Sequence, residues 1–192
     1  LSSISTSSLE LERVITDVVQ LLLPMLKVTH IQIGLYVSGR NHLNVYNPQQ
    51  NGFLDIKEYP LSNYPEFQID VANMIRYPHI LFASDKALSD AVRSYMDEHA
   101  SKMLTIVPMV INNEIIGLIL IGDSQERVFR DNERRLIEMA TTQIAAQIHN
   151  AQIHTLTEEA LVQRLEQLSL IEDIGQKISR ALDLDLIINN VL

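Results

Sequence analysis

Two apolar runs, Met103–Ile111 and Glu114–Ile121, are separated by nothing but Asn112-Asn113. A connection of two residues cannot carry the chain back to a parallel position, so the runs must pair as an antiparallel hairpin. Asparagine tolerates the positive φ that tight hairpin turns require. Strands this apolar need covering, which points to a sheet with helices laid on it.

The rest of the chain supplies both. Leu11, Val14, Ile15, Val18 and Leu22 form a helical stripe over Leu9–Leu23, with Ser8 as N-cap, Glu10 and Glu12 suited to the positive end of the helix dipole, and Pro24 as the stop. Ile31, Ile33, Leu35 and Val37 alternate as a strand, Ser38-Gly39-Arg40-Asn41 turns the chain into His42–Tyr46, and a loop over Asn47–Gly52 leads to a third alternating run, Phe53–Tyr59. These three read as a meander. Pro60, Pro65 and Pro78 then punctuate the middle of the chain, where Phe67, Val71, Met74 and Ile75 give Glu66–Arg76 a weak helical pattern. Ile80–Phe82 reads as a short buried strand, and Ser89 caps a helix carrying Val92, Tyr95 and Met96. The fold class is therefore α+β, a mostly antiparallel sheet flanked by helices.

From Asp131 onward there is no proline and the only glycine is Gly175. Apolar residues recur at Ile137, Ala140, Ile144, Ile148 and Ala151, and again at Leu161, Leu165, Leu168, Ile171, Ile174 and Ile178. Their spacing of about 3.5 residues is that of a coiled-coil seam, here expected to join two copies of the chain. Thr155 to Glu159 is a polar interruption where Thr155 and Glu158 suit a capping box. A continuous helix to Leu182 would be roughly 75 Å long at 1.5 Å per residue. Leu182–Leu192 also echoes Leu9–Val19, acid against acid and apolar against apolar apart from Leu186 against Arg13. The expected organisation is a domain over residues 5–151, a helical connector over 152–180, and the start of a second, similar module at 181–192. The chain opens on Leu1 rather than Met, as a piece of a longer protein would.

Composition narrows the chemistry. The net charge of -9, with acids scattered along the chain, disfavours nucleic acid and anionic membrane surfaces as partners. With Cys 0 there is no disulfide, thiolate zinc site or cysteine nucleophile, which fits a reducing cytoplasm. Ile115–Ile121, among the longest apolar runs, falls far short of the roughly twenty residues of a membrane span.

The stretch Lys102–Gly122, with Val107-Pro108 closing one strand, the Asn112-Asn113 turn, and Ile116-Gly117 and Ile121-Gly122 in the next, resembles the signature hairpin of GAF domains. Phe129-Arg130-Asp131-Asn132-Glu133-Arg134-Arg135-Leu136 is similar to the entry into their C-terminal helix, and the opening helix and strand match as well. The resemblance covers about residues 5 to 151. It implies a non-enzymatic regulatory module of a sensor protein, a histidine kinase first, that dimerises through its flanking helices and signals through a helical linker. The alternatives are a structural spacer without ligand, or a module serving a cyclase or phosphodiesterase.

The ligand, if any, is left unknown. Bilin attachment needs a cysteine, which is absent. Of the Asn, Lys, Phe, Asp, Glu constellation of cyclic-nucleotide-binding members, only Phe129 and Glu133 have echoes. Arg134 stands where the final acid would fall, and the lysine has no counterpart. The resemblance places a small-molecule pocket against the segment Tyr64–Arg93, with Tyr64, Phe67, Met74 and Phe82 as walls and Ser84, Asp85 and Arg93 as polar contacts. The bland alternative is that these aromatics fill the core beneath a helix. The six histidines do not cluster. His149 and His154 are five apart, off the three-or-four spacing that shares a helix face, and His79 near the pocket is the one conceivable haem ligand. No metal site and no set of nucleophile, base and orienter can be assembled.

Overall fold

A computed structural model describes residues 3–37, 41–48, 54–69, 78–153, 161, 163–165 and 167. Residues 9–151 form one compact unit, and residues 1–8 with 152–192 are grouped as another. Helix α1 (Ser3–Leu26) precedes strands β1 (His30–Tyr36), β2 (His42–Pro48), β3 (Leu54–Pro60) and β4 (His79–Phe82), with 3-10 turns at Leu61–Asn63 and Pro65–Phe67 between the last two. Helix α2 (Asp90–Glu98), strands β5 (Met103–Ile111) and β6 (Glu114–Asp123), and a third helix, α3 (131–153), follow. The strands form one sheet in the order β3-β2-β1-β6-β5-β4, with antiparallel pairing throughout.

The expected hairpin is β5–β6. Asn112 and Asn113 hold φ of 48° and 66°, the left-handed values a two-residue turn demands. The pairing register shifts at Met109/Val110, the irregularity of a β-bulge. The meander β1–β2–β3 is also as expected, and β1 pairs with β6 to join the two halves.

The sheet buries both faces. Beneath one lie Ile15, Val19, Leu22 and Leu26 of α1, which meet Ile31, Ile33 and Leu35 of β1, Ile119 and Ile121 of β6, and Ile137, Ile144 and Ile148 of α3. The other face carries Leu43, Val45, Tyr59, Leu104, Ile106, Leu118 and Leu120 from the strands, covered by Val92, Tyr95 and Met96 of α2 and by Phe67. Each such side chain contributes about 1.5–3 kcal/mol by leaving water, so the two layers hold the sheet from both sides.

Two expectations are corrected. The first helix begins at Ser3 rather than after a Ser8 cap, and Pro24 lies inside it. A proline in the last turn removes one backbone bond, whereas Leu26, fully buried, anchors one further turn before Lys27 turns out at φ 53°. Of the Glu66–Arg76 helical pattern only residues 66–69 are described, and they open in the 3-10 turn Pro65–Phe67; Val71, Met74 and Ile75 lie outside the described residues. The second correction concerns the seam. Ile137, Ile144 and Ile148 are almost completely buried in the domain's own core, Ala151 is buried, and Ala140 packs partly against that core. The stripe on α3 thus faces α1 and the sheet of its own chain and is not open to a second copy. Leu161 and Leu165 are exposed, while Leu168, Ile171, Ile174 and Ile178, with the expected connector end and the 181–192 module, lie outside the described residues.

The junction from β6 into α3 is held by one side chain. Arg127 donates from Nη2 to the Leu26 carbonyl at 2.6 Å, pairs through Nε with Asp123 at 3.0 Å and through Nη1 with Glu133 at 3.5 Å, and sits 5.0 Å above the Phe129 ring. Glu133 also accepts from the Arg130 amide at 2.8 Å, satisfying a free donor at the start of α3. Arg127→Ala would leave the buried Asp123 carboxylate without this cation. Because Arg127 is 29% exposed, the expected loss of about 2 kcal/mol falls below that of a fully buried pair, and urea unfolding measures it.

Candidate functional site

On the α2 face of the sheet four aromatic rings form a continuous cluster. Phe67 stacks on Tyr64 with centroids 5.3 Å apart and planes 11° off parallel, and meets Tyr95 edge-on at 5.7 Å. Tyr59 closes the group edge-on to Tyr64 at 5.1 Å and to Tyr95 at 5.8 Å. Such pairs add about 0.5–1.5 kcal/mol each beyond area burial. Phe67 is brought inward by its 3-10 turn, whose carbonyl accepts from the Tyr36 hydroxyl at 2.6 Å. Burial raises the Tyr59 hydroxyl to about 12 and lifts that of Tyr95 well above its ordinary value, so both stay protonated, and Tyr95 donates to the Gln32 side-chain carbonyl.

The residues expected to form a pocket are not brought to one place. Tyr64 and Phe67 belong to the aromatic cluster and pack on one another. Phe82 points to the opposite face, against the α1 and α3 core, because neighbours along β4 alternate and Leu81 takes the inner place. Ser84 and Asp85 are exposed in the turn after β4. Arg93 spends its guanidinium on that turn, donating to the carbonyls of Ala83 and Asp85, each at 3.1 Å. Met74 lies outside the described residues. His79 is exposed at the start of β4, and among the described residues no group of three metal-ligating side chains converges.

What opens to solvent on this face is a groove of about 330 Å³ lined by Tyr36, Asn41, Leu61, Gln68 and Ile69. Gln68 donates to the Leu61 carbonyl at its rim. Phe129 and Glu133, the two echoes of a cyclic-nucleotide set, are occupied elsewhere: Phe129 is buried under Arg127, and Glu133 caps α3.

Two polar arrangements escaped the sequence. Glu66 reaches the N-terminus of α2, accepting from the Ser89 amide at 2.6 Å and the Ser89 hydroxyl at 2.8 Å, while that hydroxyl accepts from Val92 as the expected cap. The 3-10 turn bearing Phe67 is thereby tied to α2. Second, Gln32 of β1 bonds both the Tyr95 hydroxyl and Nε2 of His99, whose ring stands 5.0 Å from that of His30. Both link residues more than twenty positions apart. Only Gln32, a polar residue set between Ile31 and Ile33, hinted at either.

The sequence model of the GAF domain matches residues 10–148. The chain belongs to the GAF domain family. Among solved structures it is similar to the blue-light-absorbing form of the PixJ GAF domain of Thermosynechococcus elongatus, at 13% identity and TM-score 0.58, covering 82% of this chain and 96% of that one. It is also similar to the GAF domain of a two-component sensor histidine kinase from Bacillus halodurans, at 18% identity and TM-score 0.55, covering 72% and 95%. A GAF domain/HD domain protein from Geobacter sulfurreducens compares at 16% identity and TM-score 0.55, covering 75% and 95%. No curated protein matches the chain.

Proposed function

We propose that this chain is a regulatory sensory module of a multidomain signalling protein, a histidine kinase first, that works as a dimer in the cytoplasm and passes its state on through α3. The supporting observation is the fastening of α3. Arg127 ties its first turn to α1 and β6, and its Ile137–Ile148 face rests on the sheet whose other face carries the aromatic cluster and groove. A change on the α2 face would therefore reach α3 through one sheet. Similarity to a sensor kinase domain supports the setting. Catalysis then belongs to other parts of the parent protein.

The second copy would meet apolar surface that the core leaves outside: Leu21 and Met25 on α1, Met139 on α3, and separately Leu161 and Leu165. Light scattering on the purified chain over a wide concentration range tests this, with a dimer expected; a monomer at every concentration removes the proposal. A structural spacer is the second reading, favoured by the packing of Tyr59, Tyr64, Phe67 and Tyr95 on one another. Its signature would be no thermal shift with any member of a nucleotide and metabolite panel.

A further inference from the structure

β3 stands at one end of the sheet and pairs with β2 alone. Two bonds at the strand ends show which of its backbone groups that pairing uses. The Leu61 amide donates to the Asn41 carbonyl at 3.0 Å, and the Val37 amide to the His42 carbonyl at 3.2 Å. His42 thus turns its backbone toward β1 and Asn41 toward β3. Hydrogen-bonded pairs alternate along an antiparallel ladder, so Tyr59, Lys57 and Asp55 bond to Leu43, Val45 and Asn47. The carbonyls and amides of Leu54, Ile56 and Glu58 point the other way, out of the sheet, and nothing among the described residues bonds them. Ile56, Lys57 and Glu58 are also exposed, Ile56 to 45%.

Such an edge is a template for another strand, and charged side chains commonly blunt it. Here the charges select a register instead. Two copies of β3 related by a two-fold axis pair antiparallel about a single residue, and the choice of residue decides what meets what. Centring on Asp55, Lys57 or Glu58 sets that charge against its own copy. Centring on Leu54 carries Ile56 and Lys57 past the start of the opposing strand. Centring on Ile56 opposes Ile56 to Ile56, Leu54 to Glu58, and Asp55 to Lys57 on both sides of the axis. The outward-facing residues then form the hydrogen-bonded pairs, and Asp55 and Lys57 fall in the closer, non-bonded pairs, with Cα atoms about 4.5 Å apart. Lys57 already pairs with Glu98 of α2, both half-exposed, and its ammonium has donors left for a second carboxylate.

We propose that β3 is a self-recognition edge: a second copy of this chain adds its own β3 antiparallel, centred on Ile56, and the sheet continues from one copy into the next. Five residues a side bury little beside a standard interface of about 1,600 Å², so the contact is weak between free copies and strengthens when another contact holds them together. It uses none of the surface of α1, of α3 or of Leu161 and Leu165, and its failure would leave the dimer proposed above untouched.

The test is oxidative cross-linking of the full chain carrying Ile56→Cys, which has no other cysteine. The proposed register puts the two thiols on Cα atoms about 5.5 Å apart, within reach of a disulfide. Covalent dimer is expected. Adding Asp55→Lys opposes Lys to Lys, and adding Lys57→Asp opposes Asp to Asp, so either change should lower the yield about tenfold. Mixing those two variants sets Lys against Asp at both positions and should restore the yield as heterodimer. Absence of cross-linking with Ile56→Cys alone, equal yields in all four samples as for chance collision, or no recovery on mixing would overturn the proposal. Should the variants fail to fold, amide exchange of the native chain decides: the Ile56 and Glu58 amides must slow as protein concentration rises, and unchanged rates refute the pairing.

Discussion

Phe67→Ala is expected to remove about 3–5 kcal/mol of folding stability, enough to bring a domain of ordinary stability close to unfolding. Phe67 is fully buried and touches both Tyr64 and Tyr95, so its loss leaves a cavity that two rigid rings cannot collapse to fill. The residue also fixes the 3-10 turn that Glu66 ties to Ser89. The effect should accordingly reach α2. Urea denaturation followed by tyrosine fluorescence measures it, and a loss under 1 kcal/mol would mean that the cluster is not a packed core.

Gly117→Ala should be nearly as costly for a different reason. A Cβ there would stand 2.2 Å from the Gly34 carbonyl oxygen, which belongs to the paired strand β1. Methionine and leucine side chains nearby can yield, but a backbone oxygen moves only if β1 and β6 part. The expected cost is at or above the upper end of the roughly 1–3 kcal/mol seen for overpacking. Gly34→Ala is the control. Its Cβ would meet only the Leu43 side chain, at 2.8 Å, so it should lose about 1 kcal/mol. Equal losses for the two variants would argue against this close approach of the strands.

Local pattern carried most of the architecture. Asn112-Asn113 fixed the hairpin because a two-residue link leaves one geometry, and Ser89 marked a helix start because its hydroxyl meets an amide three residues on. Features that depend on what a face meets were not legible. Ile137, Ile144 and Ile148 have the spacing of a coiled-coil seam and equally that of a helix lying on its own sheet, and only the partner α1 distinguishes them. Ile80, Leu81 and Phe82 are all apolar, so nothing in the run said that Phe82 turns away from the α2 face. Arg93 looked like a ligand contact, yet two carbonyls a few residues away claim its guanidinium. The Tyr95–Gln32–His99 circuit joins residues 63 and 67 positions apart, beyond the reach of periodicity.

Because the chain has no cysteine, a single introduced one reports contact between two copies without ambiguity. Oxidative cross-linking of Leu161→Cys, Leu165→Cys, Ile144→Cys and Ile148→Cys tests directly whether copies meet outside the domain core. Covalent dimers are expected from positions 161 and 165, which are exposed, and none from 144 and 148, which are buried against α1 and the sheet. Cross-linking at 144 or 148 as efficient as at 161, or none at 161 and 165, would contradict the account.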